Sequence, residues 1–310
     1  MARPAVLVAT PFLLERRALW ADGYDLVEPR DLDASGIAST IEALVCSGDA
    51  LDSGLVNALP NLELVACFST GYAGIDLAHL RSRGIALTSA AGVNAHDVAD
   101  HAIALLLAAW HGVVPADRSV RAGRWRDGLP PRPSLRGKRA GIVGLGRIGL
   151  EIARRVEALG LSVRWWGPRA KPGVRYERAP SLVDLARGSD VLLVASRAIP
   201  ANARQIDREV LAALGPKGWL VNVSRGLLVD EQALVEALTT RGIAGAGLDV
   251  FADEPPDARV FGRFDNVVLS PHIAGYTAEA GAAMFGQLRE NLRRHFAGEP
   301  LLTPVEDAPA

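Results

Sequence analysis

The sequence predicts an α/β protein built from two doubly wound parallel-sheet units, and three observations carry that expectation. Short apolar runs alternate with helical patterns along almost the whole chain, which is how parallel strands with covering helices read in sequence. The alternation breaks once, at an Arg-, Pro- and Gly-rich stretch from Gly123 to Lys138, and then restarts. It restarts on Arg139-Ala-Gly-Ile-Val-Gly144-Leu-Gly146-Arg147-Ile148-Gly149, a short apolar run that ends in Gly-x-Gly-x-x-Gly. A length of 310 residues suits two units at about 150 residues each.

In the first unit the runs Ala5 to Ala9, Ala43 to Cys46, Leu62 to Phe68 and Ile85 to Thr88 read as strands, with helices over Ser53 to Leu59 and Leu77 to Arg83. A loop after the third strand, Ser69-Thr70-Gly71-Tyr72-Ala-Gly-Ile-Asp76, carries two glycines at a strand's C-terminal end, where open α/β sheets bind ligands. Asn94 then reads as the N-cap of the longest helical pattern, with Asp97 in its first turn. Val98, Ile103, Leu106 and Leu107 form the apolar face, His111-Gly112 interrupts it, and the pattern resumes towards Arg121.

Past the glycine turn, helices are expected over Leu150 to Gly160, Leu182 to Arg187, Arg208 to Leu214 and Glu231 to Arg241. Strands are expected over Ser162 to Trp166, Val191 to Ala195, Trp219 to Val223, Gly245 to Val250 and Val267 to Leu269. With the strand before the glycines, that makes a sheet of about six strands. A final helix, Ala278 to Phe296, is long enough to return to the first unit.

Composition narrows the classes. A net charge of −1, with both signs mixed, advertises neither a nucleic-acid nor a membrane surface. Pro4, Pro11 and Glu15-Arg16-Arg17 make a poor signal peptide. The longest apolar run, Ala102 to Trp110, is far short of the roughly 20 residues of a membrane span. Two cysteines, Cys46 and Cys67, sit in apolar runs and read as buried thiols. The cytoplasm is the expected compartment, and no metal-ligand pattern appears.

Each glycine of the turn has a physical reason. Gly144 permits the tight turn, Gly146 lets backbone approach a pyrophosphate, and Gly149 lets helix pack closely on strand. The helix start at Arg147, Ile148 and Gly149 offers unpaired N–H groups and a positive dipole end to phosphates. An NAD site would place Asp or Glu about 20 residues on, to bond the ribose 2′-hydroxyl. Here the strand runs instead into Gly167-Pro168-Arg169-Ala-Lys171. A carboxylate would repel a 2′-phosphate, whereas a guanidinium binds one in a bidentate way. Arg169, helped by Lys171, therefore predicts NADP(H) in preference to NAD(H), with NAD(H) kept as the alternative cofactor.

Three further segments end strands of the second sheet: Asn222-Val-Ser-Arg225-Gly226, Leu248-Asp249-Val-Phe-Ala-Asp-Glu254-Pro255, and Ser270-Pro-His272. Reduction of a 2-oxo acid needs an Arg to hold the carboxylate and polarise the carbonyl, and a His to protonate the nascent alkoxide. It also needs a carboxylate beside the His to favour the imidazolium. Arg225, His272 and Glu254 supply that set. The remaining histidines, His79, His96, His101, His111 and His295, lack this context and read as structural.

With the glycine turn and Asn222 to Glu231, these segments resemble the D-isomer-specific 2-hydroxyacid dehydrogenases in order and spacing over nearly the whole chain. The resemblance to the members that reduce glyoxylate and hydroxypyruvate implies a Rossmann cofactor domain, 94–280, inserted in a flavodoxin-like substrate domain, 1–93 plus 281–310. It implies Arg225 as substrate anchor, Glu254 as partner of the histidine and His272 as acid/base. It places Asp249 beside the nicotinamide carboxamide. It makes Thr70, Gly71 and Tyr72 part of a loop whose backbone N–H groups receive the substrate carboxylate. It also implies a homodimer whose arm runs from Asn94 to about Lys138, with Trp125 at the interface, and lobes that hinge near Asn94 and the last helix.

Departures refine the expectation. Asp100 stands where the family often has Glu. Gly167 replaces the usual Asp, as in NADP-preferring members that reduce glyoxylate and hydroxypyruvate. Glu254 occupies a place where related formate dehydrogenases carry Gln. The expected activity is hydride transfer between NADP(H) and a small 2-oxo acid. Two alternatives stand beside it: an NAD-linked dehydrogenase for a larger 2-oxo acid, and a non-catalytic cofactor-sensing scaffold of the same fold.

Overall fold

A computed structural model describes residues 3–34, 36–48, 50–126 and 131–306. The chain forms two compact units, Met1–Val93 with Thr277–Ala310, and Asn94–Tyr276. The second crossing precedes Thr277 because that residue starts the terminal helix Ala278–Phe296, its hydroxyl accepting from Ala280 N at 3.1 Å.

The first unit holds β1 (Ala5–Val8), α1 (Pro11–Glu15), β2 (Asp25–Val27), β3 (Ile41–Cys46), α2 (Ser53–Asn57), β4 (Leu64–Cys67), α3 (Leu77–Ser82) and β5 (Ala86–Thr88). All pairings are parallel, in the order β2-β1-β3-β4-β5, the flavodoxin-like arrangement. Alternate residues cover opposite faces. Leu7, Leu44, Val65 and Leu87 pack with Val56, Leu59 and Leu80. Val6, Val8, Ala43, Val45 and Leu64 pack with Phe285, Leu288 and Leu292 of the terminal helix. Each of those three helix side chains is buried and contributes on the order of 1.5–3 kcal/mol.

The second unit opens with α4 (Ala95–His111) and α5 (Val113–Arg121), separated by Gly112 at φ 65° and bent by 62°. Then come β6 (Arg139–Val143), α6 (Arg147–Ala158), β7 (Ser162–Trp166), β8 (Glu177–Arg178), α7 (Leu182–Arg187), β9 (Val191–Val194) and α8 (Arg208–Leu214). β10 (Trp219–Asn222), α9 (Glu231–Thr239), β11 (Gly245–Leu248), α10 (Ala258–Phe261) and β12 (Val267–Leu269) complete it. The seven strands are parallel in the order β12-β11-β10-β9-β6-β7-β8, which is the Rossmann order with one strand added at an edge. One face is covered by α7, α8 and α9 through Leu185, Leu211 and Leu234, the other by α4 and α6 through Leu106, Trp110, Ile152 and Val156.

Four elements escape the sequence patterns, the 4-residue α10 among them. β2 and β8, of 3 and 2 residues, are edge strands too short to show a period, and α1 is a single 5-residue turn that begins on Pro11. Asn94 occupies the N-cap position of α4 but makes no side-chain cap bond. Its amide instead packs against Gly275, where a Cβ would collide with it. No single described helix is long and apolar enough to cross a membrane; the bent pair α4–α5 reaches that length and composition only together. Residues 127–130 of the expected connector lie outside the described residues.

Candidate active site

The glycine turn joins β6 to α6, and each glycine is required by its surroundings. Gly144 has φ 87°, and a Cβ there would run into the backbone of Ser196 after β9. A Cβ on Gly149 would run into the carbonyl oxygen of Gly144, so only glycine lets α6 approach its own turn this closely. Gly146 differs: a Cβ there meets nothing within 4 Å. The space it leaves is open in front of the first turn of α6, which has no side-chain cap. That is the cradle a pyrophosphate requires, with the helix amides of Arg147, Ile148 and Gly149 facing it.

Beyond β7 the chain passes through the buried Gly167 to the exposed Arg169. Lys171 folds back over the glycine turn and donates from Nζ to Leu145 O at 2.7 Å, which sets its charge against that turn. Arg178, on the edge strand β8, was not anticipated from sequence. Its Nη2 donates to Gly167 O at 2.7 Å and to Pro168 O at 3.4 Å, bracing the turn that carries Arg169. The residues present fit a 2′-phosphorylated dinucleotide: two cations stand on this turn and no carboxylate does.

The loops after β10, β11 and β12 bring the proposed chemistry together. Asn222 is 1% exposed and pins the first loop, donating to Arg225 O at 3.0 Å and accepting from Ser224 N at 3.1 Å. Arg225 is half-buried, with Nη1 bonded to Ser224 O at 2.7 Å. Gly226 lies flat against the Phe251–Ala252 peptide, where any side chain would overlap backbone. The Arg225 loop and the Glu254 loop are therefore packed directly on one another. Glu254 accepts from Phe251 N through Oε1 at 3.1 Å and faces His272 Nδ1 through Oε2 at 2.7 Å. That contact places the Nδ1 proton between ring and carboxylate and leaves Nε2 as the nitrogen for exchange.

A second carboxylate flanks the same peptide. Glu231, at the start of α9, accepts from Ala252 N at 2.6 Å. Burial, with Asp253 and Glu254 nearby, pushes the Glu231 carboxyl above its ordinary value despite that bond. Sequence reasoning did not single it out, since its partner is the backbone.

Asp249 has no exposed side-chain surface. Its Oδ1 accepts from Ser270 Oγ at 2.6 Å and Ile273 N at 2.9 Å, and its Oδ2 from Ala274 N at 2.9 Å. These bonds tie the Asp249 carboxylate to the turn around His272. His101, expected to be structural, reaches that network from α4, with Nε2 2.8 Å from Ser270 Oγ. His79 and His96 make outer contacts to Asn57 and Glu151.

Thr70, Gly71 and Tyr72 belong to the other unit, in the loop after β4. That loop is stitched to the one after β3: Gly74 N donates to Gly48 O at 3.2 Å, Gly48 N to Ser69 Oγ at 3.2 Å, and a Cβ on Gly48 would strike Gly71 O. Trp125 is 68% exposed. Among the described residues no group of three or more His, Cys, Asp or Glu could hold a metal ion.

Comparison with known proteins identifies the family. Residues 103–274 match the family described as D-isomer specific 2-hydroxyacid dehydrogenase, NAD binding domain. The chain is 43% identical over 269 residues to a glyoxylate/hydroxypyruvate reductase A of Arabidopsis thaliana, covering 86% of each. It is also 43% identical over 270 residues to a hydroxyphenylpyruvate reductase of Plectranthus scutellarioides, again covering 86% of each. An NADPH-dependent glyoxylate/hydroxypyruvate reductase from Sinorhizobium meliloti, solved with NADP and malonate, superposes with a TM-score of 0.89 at 38% identity. That match covers 98% of this chain and 97% of the other. The chain belongs to the D-isomer specific 2-hydroxyacid dehydrogenase family.

Proposed function

We propose that this protein is an NADP(H)-preferring reductase of small 2-oxo acids, foremost glyoxylate and hydroxypyruvate, forming D-2-hydroxy acids. The observation that carries the reading is the His272–Glu254 contact of 2.7 Å, set on loops of the sheet that also bears the glycine turn. The relatives named as glyoxylate/hydroxypyruvate reductases, and the neighbour solved with NADP, support the substrate and cofactor classes.

The nicotinamide, when bound, supplies the hydride. The chain does the rest. Helix α6 and Lys171 hold phosphates, and Arg169 pairs with the 2′-phosphate. Arg225 binds the substrate carboxylate and draws charge onto the carbonyl oxygen as it becomes an alkoxide. His272 delivers the proton from Nε2, and Glu254 holds the ring in register and balances the imidazolium. In the first unit, the amides of Thr70, Gly71 and Tyr72 are suited to a carboxylate. The exposed Val113 and Val120 of α5, with Trp125, support a homodimer that forms through this arm.

A second reading is supported by the hydroxyphenylpyruvate reductase relative: a larger, aromatic 2-oxo acid as substrate. A panel of 2-oxo acids with NADPH and with NADH separates the two. We expect glyoxylate and hydroxypyruvate with NADPH to give the highest kcat/KM. The Arg169→Ala variant should raise KM for NADPH by about tenfold or more, a loss of roughly 1.4 kcal/mol or more, and leave NADH nearly untouched. Equal effects on both cofactors would remove the 2′-phosphate assignment.

A further inference from the structure

We propose that His101 is a positioning residue for the turn that presents His272, acting through Ser270 on the buried carboxylate of Asp249. The proposal rests on the reading of His272 as the proton donor. The three residues come from three separate elements: His101 from α4, Asp249 from the end of β11 and Ser270 from the end of β12.

Asp249 is enclosed, with 0% side-chain exposure. A buried carboxylate is costly unless donors satisfy it. Three are Ser270 Oγ and the amides of Ile273 and Ala274, at 2.6, 2.9 and 2.9 Å. His101 Nε2 is the fourth polar contact, 3.3 Å from Oδ1, and the one such contact able to carry positive charge. The proton order follows from the chemistry of the groups. A carboxylate only accepts, so the single Ser270 hydroxyl proton points to Asp249. Ser270 Oγ must then accept from His101, which assigns the proton to His101 Nε2 at 2.8 Å.

This network holds a strained piece of backbone. His272 adopts φ 54°, a conformation that side-chain-bearing residues rarely take and that the surrounding contacts must hold. Its own amide bonds to Asp249 O at 2.8 Å and Ser270 O at 3.1 Å, and the next two amides bond to the Asp249 carboxylate. Each of these amide contacts returns to Asp249 or Ser270. Removing His101 leaves the Ser270 oxygen without its donor and the buried carboxylate with less compensation. The turn then loosens, and the imidazole loses its aim at the substrate oxygen. Small misplacements of this kind act on the chemical step, and their cost reaches about a hundredfold.

The test uses the full chain and the variants His101→Leu, His101→Gln, Ser270→Ala and the Leu/Ala double. Steady-state kinetics with NADPH and hydroxypyruvate, fluorescence titration of NADPH, and hydrogen exchange at the amides of Ile273 and Ala274 are read together. We expect kcat to fall about tenfold or more in His101→Leu and Ser270→Ala, with NADPH affinity changed less than about twofold. Glutamine carries an N–H near the place of Nε2, so His101→Gln should recover most of the loss. The double variant should be no worse than the poorer single, and exchange at Ile273 and Ala274 should quicken in both singles.

Wild-type kcat in His101→Leu, or equal losses in the Leu and Gln variants, would overturn the proposal. If His101→Leu does not fold, wild-type kcat and exchange in Ser270→Ala would do the same. Should the wild type reduce no 2-oxo acid, the proposed function falls while the exchange rates still decide whether His101 holds the turn.

Discussion

At the scale of single residues, the site is made by side chains that are absent as much as by those present. Gly149 touches the carbonyl of Gly144, and Gly226 touches the Phe251–Ala252 peptide. We expect Gly149→Ala to cost about 1–3 kcal/mol in denaturant unfolding, as overpacking does, and to weaken NADPH binding by moving α6 off its turn. An alanine variant with unchanged stability and affinity would show that the close approach is not needed. The peptide that meets Gly226 is brought to it only by the fold, whereas Gly149 was legible because its partner Gly144 lies in the same short string. His101 was not. Its partner Ser270 is 169 positions away, and a histidine in a helical pattern carries no sign of what the fold lays beside it. Asn222, Glu231 and Arg178 were missed for the same reason, since each acts on backbone that only the folded chain brings near.

At the scale of elements, the long periodic segments were read well and the short ones poorly. The strands Ser162–Trp166 and Val267–Leu269 and the helices Leu182–Arg187, Arg208–Leu214 and Ala278–Phe296 stand where the pattern placed them. Each of these helices buries one apolar stripe, which enforces its period along the element. The edge strands β2 and β8 include charged residues, Asp25 in one and Glu177 and Arg178 in the other, where β12 is wholly apolar. The start of α9 yields a pH-dependent prediction. Glu231 has its folded pKa raised by burial, so the folded state binds the proton more tightly than the unfolded chain does. Below the ordinary carboxylate value both states are protonated and nothing is lost. As pH rises past that value the unfolded chain ionises first, and stability falls until the folded group has ionised as well. Glu231→Gln keeps an oxygen for Ala252 N and removes this loss. Its stability relative to wild type should therefore improve between about pH 4 and pH 7, measured by urea unfolding at both. A difference that stays constant with pH would contradict the assignment.

At the scale of the whole molecule, two parallel sheets of different strand order are threaded by one chain that leaves the first unit after Val93 and re-enters it at Thr277. The expectation of an inserted unit rests on the family resemblance, because alternation alone cannot say which strands share a sheet. The arm offers a test of assembly. Val113 and Val120 are 53% and 55% exposed on α5, and burying them against a second copy would give light scattering a mass of two chains. Val113→Asp with Val120→Asp should shift that mass to one chain; a wild-type mass of one chain would remove the dimer.

The proposed chemistry is hydride delivery to a 2-oxo acid with His272 supplying the proton. The direct measurement is turnover of hydroxypyruvate with NADPH deuterated at the transferable C4 position, followed by isotopic and chiral analysis of the product. The expected product is D-glycerate with deuterium at C2, and His272→Ala should still bind NADPH but turn over at least about a hundredfold more slowly. Product without the label, product of L configuration, or an undiminished His272→Ala rate would contradict it.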